Sequence, residues 1–586
     1  MAPGQATTSA VRHAENAPHY VDKRGSDLLG PIPQFTAVAR EWGIDFQRFD
    51  DINGKHRLME ANGGGVAVID YDGDGWQDIF FTNGRRLPRS VADDEHTSQL
   101  YRRRGPEDYY SVTVASNLRF VAYSYGCAVA DYDNDGFDDL YVTAYGANRF
   151  FHNQGDGTFV DITDETGTAV PVWSSSAAFA DLNRDGALDL YVVNYVQDDD
   201  ESPLVCPAPG SPDGVMSCSP TMFRAENDAC FIGDGSGGFR PVLAEAGLTG
   251  VDGKGLGVVI FDMDQDGWPD IYVANDGMPN FLYRNRTGEL SETARQGIPR
   301  FEEQAMLLGA AVNSEGVAEA SMGIGHGDVN GDGWIDLHLS HFEAESNTLY
   351  LNQQGRGFVD GTRAWRLIAP TRPRLGFGNE LIDWDNDGWL DLFVANGHID
   401  DLSWGPGHSP YRMRPQAFRN EHGTAFTDVS SAAGTYFQEE LLGRGVASSD
   451  LDRDGDIDLI VAHQLANSEI LRNDTKLQGN SITLRLIGVS PSNRTALHTR
   501  VEVTLSGVGS RTSDRSRNFV RELASGGSYQ SSSDHSIQFG IGQATRVSLM
   551  RVSWPSGATE DFQDIAAGGY SVIEGQGRLV AGISVQ

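Results

Sequence analysis

Side-chain oxygens recur at positions 1, 3, 5 and 9, around a glycine at position 6, in seven stretches of the chain. They are Asp70, Asp72, Asp74 and Asp78; Asp131, Asp133, Asp135 and Asp139; Asp181, Asn183, Asp185 and Asp189; Asp262, Asp264, Asp266 and Asp270; Asp328, Asn330, Asp332 and Asp336; Asp383, Asp385, Asp387 and Asp391; and Asp450, Asp452, Asp454 and Asp458. That spacing lets four oxygens curl around one hard divalent cation, and the glycine permits the sharp bend. The carbonyl at position 7 (Trp76, Phe137, Ala187, Trp268, Trp334, Trp389 and Asp456) adds a ligand and leaves its side chain free to pack. Calcium is the cation this chemistry predicts, up to seven ions per chain. Like charges about 4 Å apart repel by about 1 kcal/mol in water, and by more in a half-buried turn. Without metal the loops are therefore expected to fray. An acidic surface turn accounts for one copy, but poorly for seven with one spacing.

An EF-hand opens with the same pattern but needs a bidentate Glu at position 12 and two flanking helices. Here position 12 is Phe81, Val142, Val192, Val273, Leu339, Val394 and Val461, all apolar. The segment after each loop ("DIFFTN", "DLYVTAY", "DLFVAN" and their counterparts) is rich in β-branched and aromatic residues and reads as a strand. Another strand precedes each loop, with Gly65, Gly126, Gly257, Gly323, Gly378 and Gly445 five residues before the first Asp, and Ser176 in the remaining copy. A second phrase, near N-x-x-G-x-x-F, recurs in "HNQGDGTFVDIT", "LNQQGRGFVDGT" and "RNEHGTAFTDVS" and marks a hairpin turn to an outer strand. Each repeat thus holds about four strands in roughly 50 to 80 residues, the content of one propeller blade. The expected fold is all-β: a seven-bladed β-propeller over residues 35–475, after an N-terminal extension, 1–34. Residues 476–586 carry alternating stretches such as "SITLRLIG" and "RVEVTLSG" without an acidic loop, and predict a separate β-sandwich-like domain.

Net charge is −37, and no Lys/Arg cluster stands out, so a phosphate backbone would be repelled and nucleic acid is excluded as a partner. No window of about 18 apolar residues occurs, so no membrane span is expected. The N-terminal stretch lacks an apolar h-region, so the expectation is a cytoplasmic protein or a secreted one whose leader is absent from this chain. Cys206 and Cys218 lie in a Pro/Gly/Ser-rich insertion with no CxxC step, which disfavours zinc and leaves a disulfide and two reduced thiols both open. Sequons at Asn285, Asn473 and Asn493 matter only in a eukaryotic secretory route. His338 and His341 fall on opposite faces of one strand and are rejected as a metal pair.

"MGIGHGDVNGDGWIDL" (322–337), "DWDNDGWLDLFVANGHID" (383–400) and "GRGVASSDLDRDGDIDLIVAH" (443–463), with "SNR" (492–494), "FGIG" (539–542) and "VSWPSG" (552–557), carry a family resemblance. From residue 35 to 580 the chain resembles the FG-GAP/VCBS-repeat propellers with a C-terminal ASPIC/UnbV domain, the cartilage acidic protein-like family. The resemblance implies that Cys206 and Cys218 are paired, since the family has a cysteine pair at that place. His498 stands where relatives usually have Gly, which puts the local turn there in doubt.

A propeller does not name its function. The resemblance implies a calcium-stabilised scaffold that recognises a protein or glycan. The alternative is a lyase- or cyclase-type enzyme of sugar or natural-product chemistry, taking a small molecule in the funnel on the propeller axis. Residues six to ten places before each first Asp should ring one mouth of that axis: Glu60, Tyr123, Trp173, Lys254, Met322, Phe377 and Arg444. Glu60, Lys254 and Arg444 are the candidate acid/base and anion-holding groups, with His326 and His398 as proton-transfer candidates. Each also has a structural reading: Arg444 paired with a carboxylate, His398 capping a turn, His326 packed within a blade.

Overall fold

The computed structural model describes residues 31–54, 56–291, 297–405, 409–476, 479–506 and 516–582. Most of the N-terminal extension expected over 1–34 lies outside the described residues. The β-branched and aromatic runs on either side of each acidic loop form the first two strands of a four-stranded antiparallel sheet, and the loop is the turn between them. In sheet 1 the strands are Val66–Ile69, Asp78–Phe81, Gln99–Gly105 and Asp108–Ser111. Six more units repeat the plan, with first strands Tyr123–Ala130, Val172–Ala180, Gly255–Phe261, Ile324–Gly327, Gly376–Ile382 and Gly443–Ser449 (sheets 2 to 7). Each first strand packs beside the next, and that of sheet 7 packs beside that of sheet 1, so among the described residues the units close into a ring. Sheet 7 takes its outermost strand from the start of the chain: Phe35–Ala37 pairs with Leu471–Asn473.

The glycines ahead of each loop sit where successive first strands come closest. A methyl group at Gly257 would strike Met322 O, one at Gly323 would strike Phe377 O, and one at Gly378 would strike Arg444 O, while one at Gly65 would strike Gln530 O of the C-terminal region. The strand pairing is bulged in the same region, between Gly255 and Gly257, Gly376 and Asn379, and Gly443 and Val446, which bends the strands around the axis.

The C-terminal region forms two further four-stranded sheets. Sheet 8 contains Asn480–Ile487, Ser536–Gly542, Gly568–Ile573 and Leu579–Ala581; sheet 9 contains Arg500–Leu505, Arg517–Glu522, Arg546–Ser553 and Thr559–Ala566. They enclose Ile482, Leu484, Val501, Val503, Phe539, Met550 and Val552, all at most 2% exposed. The same apolar cluster continues into Phe150, Phe179 and Leu190 of sheets 2 and 3, so the tail is packed onto the ring. Cys206 and Cys218 form a disulfide across the hairpin Val205–Pro207/Val215–Ser217, as the resemblance implied.

Candidate metal centres and a filled axis

The acidic loops follow a common hydrogen-bond scheme, with single bonds missing at Asp70, Asp391 and Asp450. The position-1 carboxylate accepts the amides of positions 5 and 6: Asp135 N and Gly136 N reach Asp131 at 2.9 Å each, and Asp387 N and Gly388 N reach Asp383 at 3.0 and 2.8 Å. The position-5 carboxylate accepts the amide of position 7, as in Asp266 Oδ1 with Trp268 N at 3.0 Å. The position-9 carboxylate is held from two sides: Asp270 takes Met263 N at 3.0 Å and Asn285 N at 2.7 Å. Aspartate serves each place because only a short acidic side chain reaches neighbouring amides within so tight a turn.

Hydrogen bonds leave oxygens over. Asp70 Oδ1, Asp72 Oδ1, Asp264 Oδ1, Asp385 Oδ1, Asp391 Oδ2, Asp450 Oδ1 and Asp452 Oδ1 are buried without a partner. Ligand atoms of Asp70, Asp72 and Asp78 lie within 4.8 Å of one another, as do those of Asp262, Asp264 and Asp270 and of Asp383, Asp385 and Asp391. Buried, unpartnered oxygens converging at that spacing fit a hard cation bound through oxygen. Burial, reinforced by neighbouring carboxylates, raises the pKa of Asp70 and Asp450 to about 7 and of Asp131 and Asp262 to about 8. Charge in these loops therefore needs a counter-charge.

Some counter-charge is already present. Arg102 Nη2 lies 2.6 Å from Asp72 and 3.2 Å from Asp74, His152 Nδ1 lies 3.1 Å from Asp139, and Arg284 pairs with Asp264. Sequence reasoning missed these residues, although for His152 and Arg284 a basic residue just before the asparagine of "FHN" and "YRN" is the visible signal; Arg102 lies in "YRRRG" without that asparagine. It also missed what that asparagine does. Asn153, Asn285, Asn352, Asn420 and Asn473 each donate Nδ2 to a carbonyl in the preceding sheet's loop: Tyr71, Leu182, Met263, Val329 and Trp384, at 2.7 to 3.0 Å. The second repeated phrase is thus a clasp between neighbours as well as a turn. Asn285, Asn473 and Asn493 are at most 1% exposed, so none of the three sequons is open to a glycan in the folded protein. Asn420→Ala removes two Nδ2 bonds and the Oδ1 acceptor of Gly423 N, and is expected to cost about 2 kcal/mol in a urea titration. An unchanged midpoint would show that the clasp carries no weight.

The mouth expected on the axis is not open. Tyr123, Trp173, Met322 and Phe377 join one buried cluster with Tyr125, Leu256 and, from the tail, Tyr529. The segment 523–535, between sheets 9 and 8, runs along the axis. Ser525–Gly526 pairs with Val259–Ile260 of sheet 4, and Ser528 exchanges backbone bonds with Ile324 of sheet 5 at 2.6 and 2.8 Å. Gln530 O accepts Cys127 N of sheet 2 at 3.2 Å, and Ser532 exchanges bonds with Val66 and Val68 of sheet 1 at 3.0 and 2.9 Å. Ser533 Oγ takes Ser448 N of sheet 7 at 3.1 Å and gives to Glu380 Oε1 of sheet 6 at 2.9 Å. At the tip Tyr529 is fully buried, 5.1 Å from the Phe377 ring, and its hydroxyl donates to Asn62 O at 3.1 Å. Glycine suits position 526 because a methyl group there would strike Val258 O of sheet 4.

The expected catalytic residues are distributed around this plug. Arg444 is 1% exposed and donates to Ala61 O, Gly397 O, Gly443 O, His398 O and Gln464 Oε1, with its guanidinium 4.0 Å above the Phe377 ring. Burial lowers its pKa to about 10. It has carbonyl partners where the sequence suggested a carboxylate. Glu60 is buried against Arg57 at 2.9 Å, and burial raises it to about 7. Lys254 is 2% exposed, 3.6 Å from Asp252. His398 is 2% exposed, accepts Asp400 N at 3.0 Å and lies 3.5 Å from Glu343. His326 stands apart from these, with its ring against Gly527 of the plug.

A closed ring of four-stranded sheets, each turned by an acidic loop, with a two-sheet tail over the ring, defines an all-β repeat protein of the propeller class. Four segments, 70–142, 131–192, 328–394 and 383–461, match the FG-GAP-like repeat, and residues 489–578 match the family described as ASPIC and UnbV. The chain belongs to the FG-GAP-repeat proteins that end in an ASPIC and UnbV domain. It is 24% identical to cartilage acidic protein 1 of Homo sapiens over 511 residues, which is 86% of this chain and 61% of that protein's length. Among solved structures it is similar to an Agrocybe aegerita lectin described by its recognition of non-reducing terminal N-acetylglucosamine (TM-score 0.35, 15% identity, 70% of this chain and 94% of that one). It is also similar to the Dos1 propeller (TM-score 0.32, 9% identity, 74% of this chain and 96% of that one).

Proposed function

We propose that this protein is a calcium-binding propeller scaffold, with a ring over residues 35–475 and a β-sandwich-like tail over 476–586, and that it recognises a protein or glycan. The observation that carries this reading is the set of buried carboxylate oxygens without partners in loops at Asp70, Asp262, Asp383 and Asp450, with ligand atoms converging at metal-binding spacing in the loops at Asp70, Asp262 and Asp383. The loop residues hold the ion, and a bound calcium neutralises carboxylates that otherwise repel across each turn. With its turns held, the ring presents a rigid rim on which recognition surfaces can be built. The plug on the axis supports the scaffold over the lyase- or cyclase-type reading, because Glu60, Lys254, His398 and Arg444 are all buried.

Calorimetric titration of the chelator-stripped full chain tests this. Several equivalents of calcium should bind, and Asp385→Ala with Asp387→Ala should bind about one equivalent fewer. It should also become sensitive to protease near residues 380–400. A parent protein that takes up no calcium would end the proposal.

A further inference from the structure

The tail touches every acidic loop. Asp534 takes Gln77 Nε2 at 3.2 Å in the first loop. In the second, Thr495 Oγ1 takes Asp131 N at 3.1 Å and Arg494 lies 3.6 Å from the Asp131 carboxylate. Pro555 O takes Arg184 Nη2 at 2.7 Å in the third, and Glu522 Oε1 takes Asp262 N at 2.9 Å in the fourth. Arg500 donates to Gly333 O at 2.8 Å in the fifth. In the sixth, Gly540 N reaches the Asp383 carboxylate at 3.2 Å and Arg521 reaches Gly388 O at 3.3 Å. Ser481 and Gln538 both donate to Gly455 O in the seventh, at 2.9 and 2.6 Å.

Most of these contacts fall on parts of each loop that are set in place by its curl: the carbonyl of the position-6 glycine, and the amide or carboxylate of the position-1 residue. A loop splayed by its own charges would lose the surface the tail reads. Charge enters some contacts directly: Glu522 brings a fifth carboxylate to a loop that already holds Asp262, Asp264, Asp266 and Asp270, whereas Arg494 sets a cation beside Asp131. The tail also carries the plug. Segment 523–535 leaves sheet 9 after Glu522 and enters sheet 8 at Ser536, and both sheets lie on the loop face, so the segment dips into the axis and returns on one side. It can withdraw without threading a chain end and without opening the ring.

We infer that the acidic loops are a cation-dependent docking surface for the tail, and that cation loss releases the tail and draws the plug from the axis. The inference rests on the calcium reading above. It couples each bound ion to an interface rather than only to its own turn: ions that favour the docked state stabilise it in proportion to their differential affinity for the two states.

The protein carries its own reporter. Cys127 is 2% exposed and is covered by the plug, with its amide on Gln530 O and its sulfur 3.8 Å from the same oxygen. Cys230 is 1% exposed and packs in the core shared by sheets 3 and 4 with Val258, Ile271 and Tyr283. Maleimide labelling of the full chain, without reductant so that the Cys206–Cys218 disulfide stays closed, should find both thiols protected in calcium. In chelator, at a temperature where far-ultraviolet circular dichroism is unchanged, Cys127 should label at least about tenfold faster while Cys230 stays protected. Arg494→Ala with Arg500→Ala, which loosens docking without removing a loop carboxylate, should speed Cys127 labelling even in calcium. Labelling of both cysteines together would mean that the ring itself opens, and would overturn the inference. So would a Cys127 rate indifferent to chelator when calorimetry shows that calcium was bound and removed, or a double variant that labels like the parent. Absence of calcium binding in the calorimeter would instead remove the proposed function from beneath it.

Discussion

Excess EDTA near pH 7.5 lowers the melting temperature of the full chain by about 10 °C or more in scanning calorimetry, and added calcium restores it. Each site held at 100 times its dissociation constant contributes about 2.7 kcal/mol, and several such loops act on one ring. The dependence on pH separates metal from any other stabiliser. In the stripped protein the carboxyls of Asp70, Asp181 and Asp450 titrate near 7, raised by burial, against about 4 in an unfolded chain. Between those values the folded state holds protons that the unfolded state has released, so the stability these carboxyls contribute is fully present below about pH 4 and is lost as pH rises toward 7. Calcium reverses the slope, because protons compete with it for the same oxygens and its contribution grows as they leave. Melts that coincide with and without chelator across this window would sink the metal reading.

Arg444→Ala is expected to cost about 3 to 5 kcal/mol, read as a fall in the urea midpoint with little change in slope. The guanidinium gathers Ala61 O from the segment before sheet 1, Gly397 O and His398 O from the loop after the second strand of sheet 6, and Gly443 O and Gln464 from sheet 7. Truncation leaves those acceptors without a donor in a place water does not reach, and removes the cation resting on Phe377. Arg444→Lys should recover only part of the loss, since an ammonium has three donors on one atom and cannot span the same fork. An alanine variant as stable as the parent would show that these carbonyls find other partners.

The acidic loops are legible in sequence because their chemistry allows few substitutes. Only Asp or Asn reaches the neighbouring amides, only an apolar residue at position 12 can enter a strand buried on both faces, and the repetition removes ambiguity. The fold follows from the loops, and the aromatic mouth from counting back along each first strand. The plug is not legible. "SGGSYQSSSD" has neither apolar periodicity nor a charge pattern and reads as a turn-rich linker; its place on the axis is set by sheets 8 and 9 on either side. The asparagine clasp reads only as a turn because its partner lies 82 to 103 residues away in sequence, a distance no local pattern carries. Arg444 stands out by its charge, but its carbonyl partners depend on where three separate segments meet. His326 belongs with the mouth by residue type alone, and the fold places it along the wall of the bore.

The strand Phe35–Ala37 is three residues long, yet it decides what counts as a whole molecule. The sequence repeat and the folded sheet are out of phase by one strand, so the last unit is completed by material synthesised first. Excision at repeat boundaries would leave Glu469–Asn473 with a bare backbone edge, the kind of surface that recruits strangers into ribbons. Lengthening or shortening the circle by one repeat over evolutionary time would leave this seam intact, because the seam belongs to the two termini of the circle and to none of the units between them.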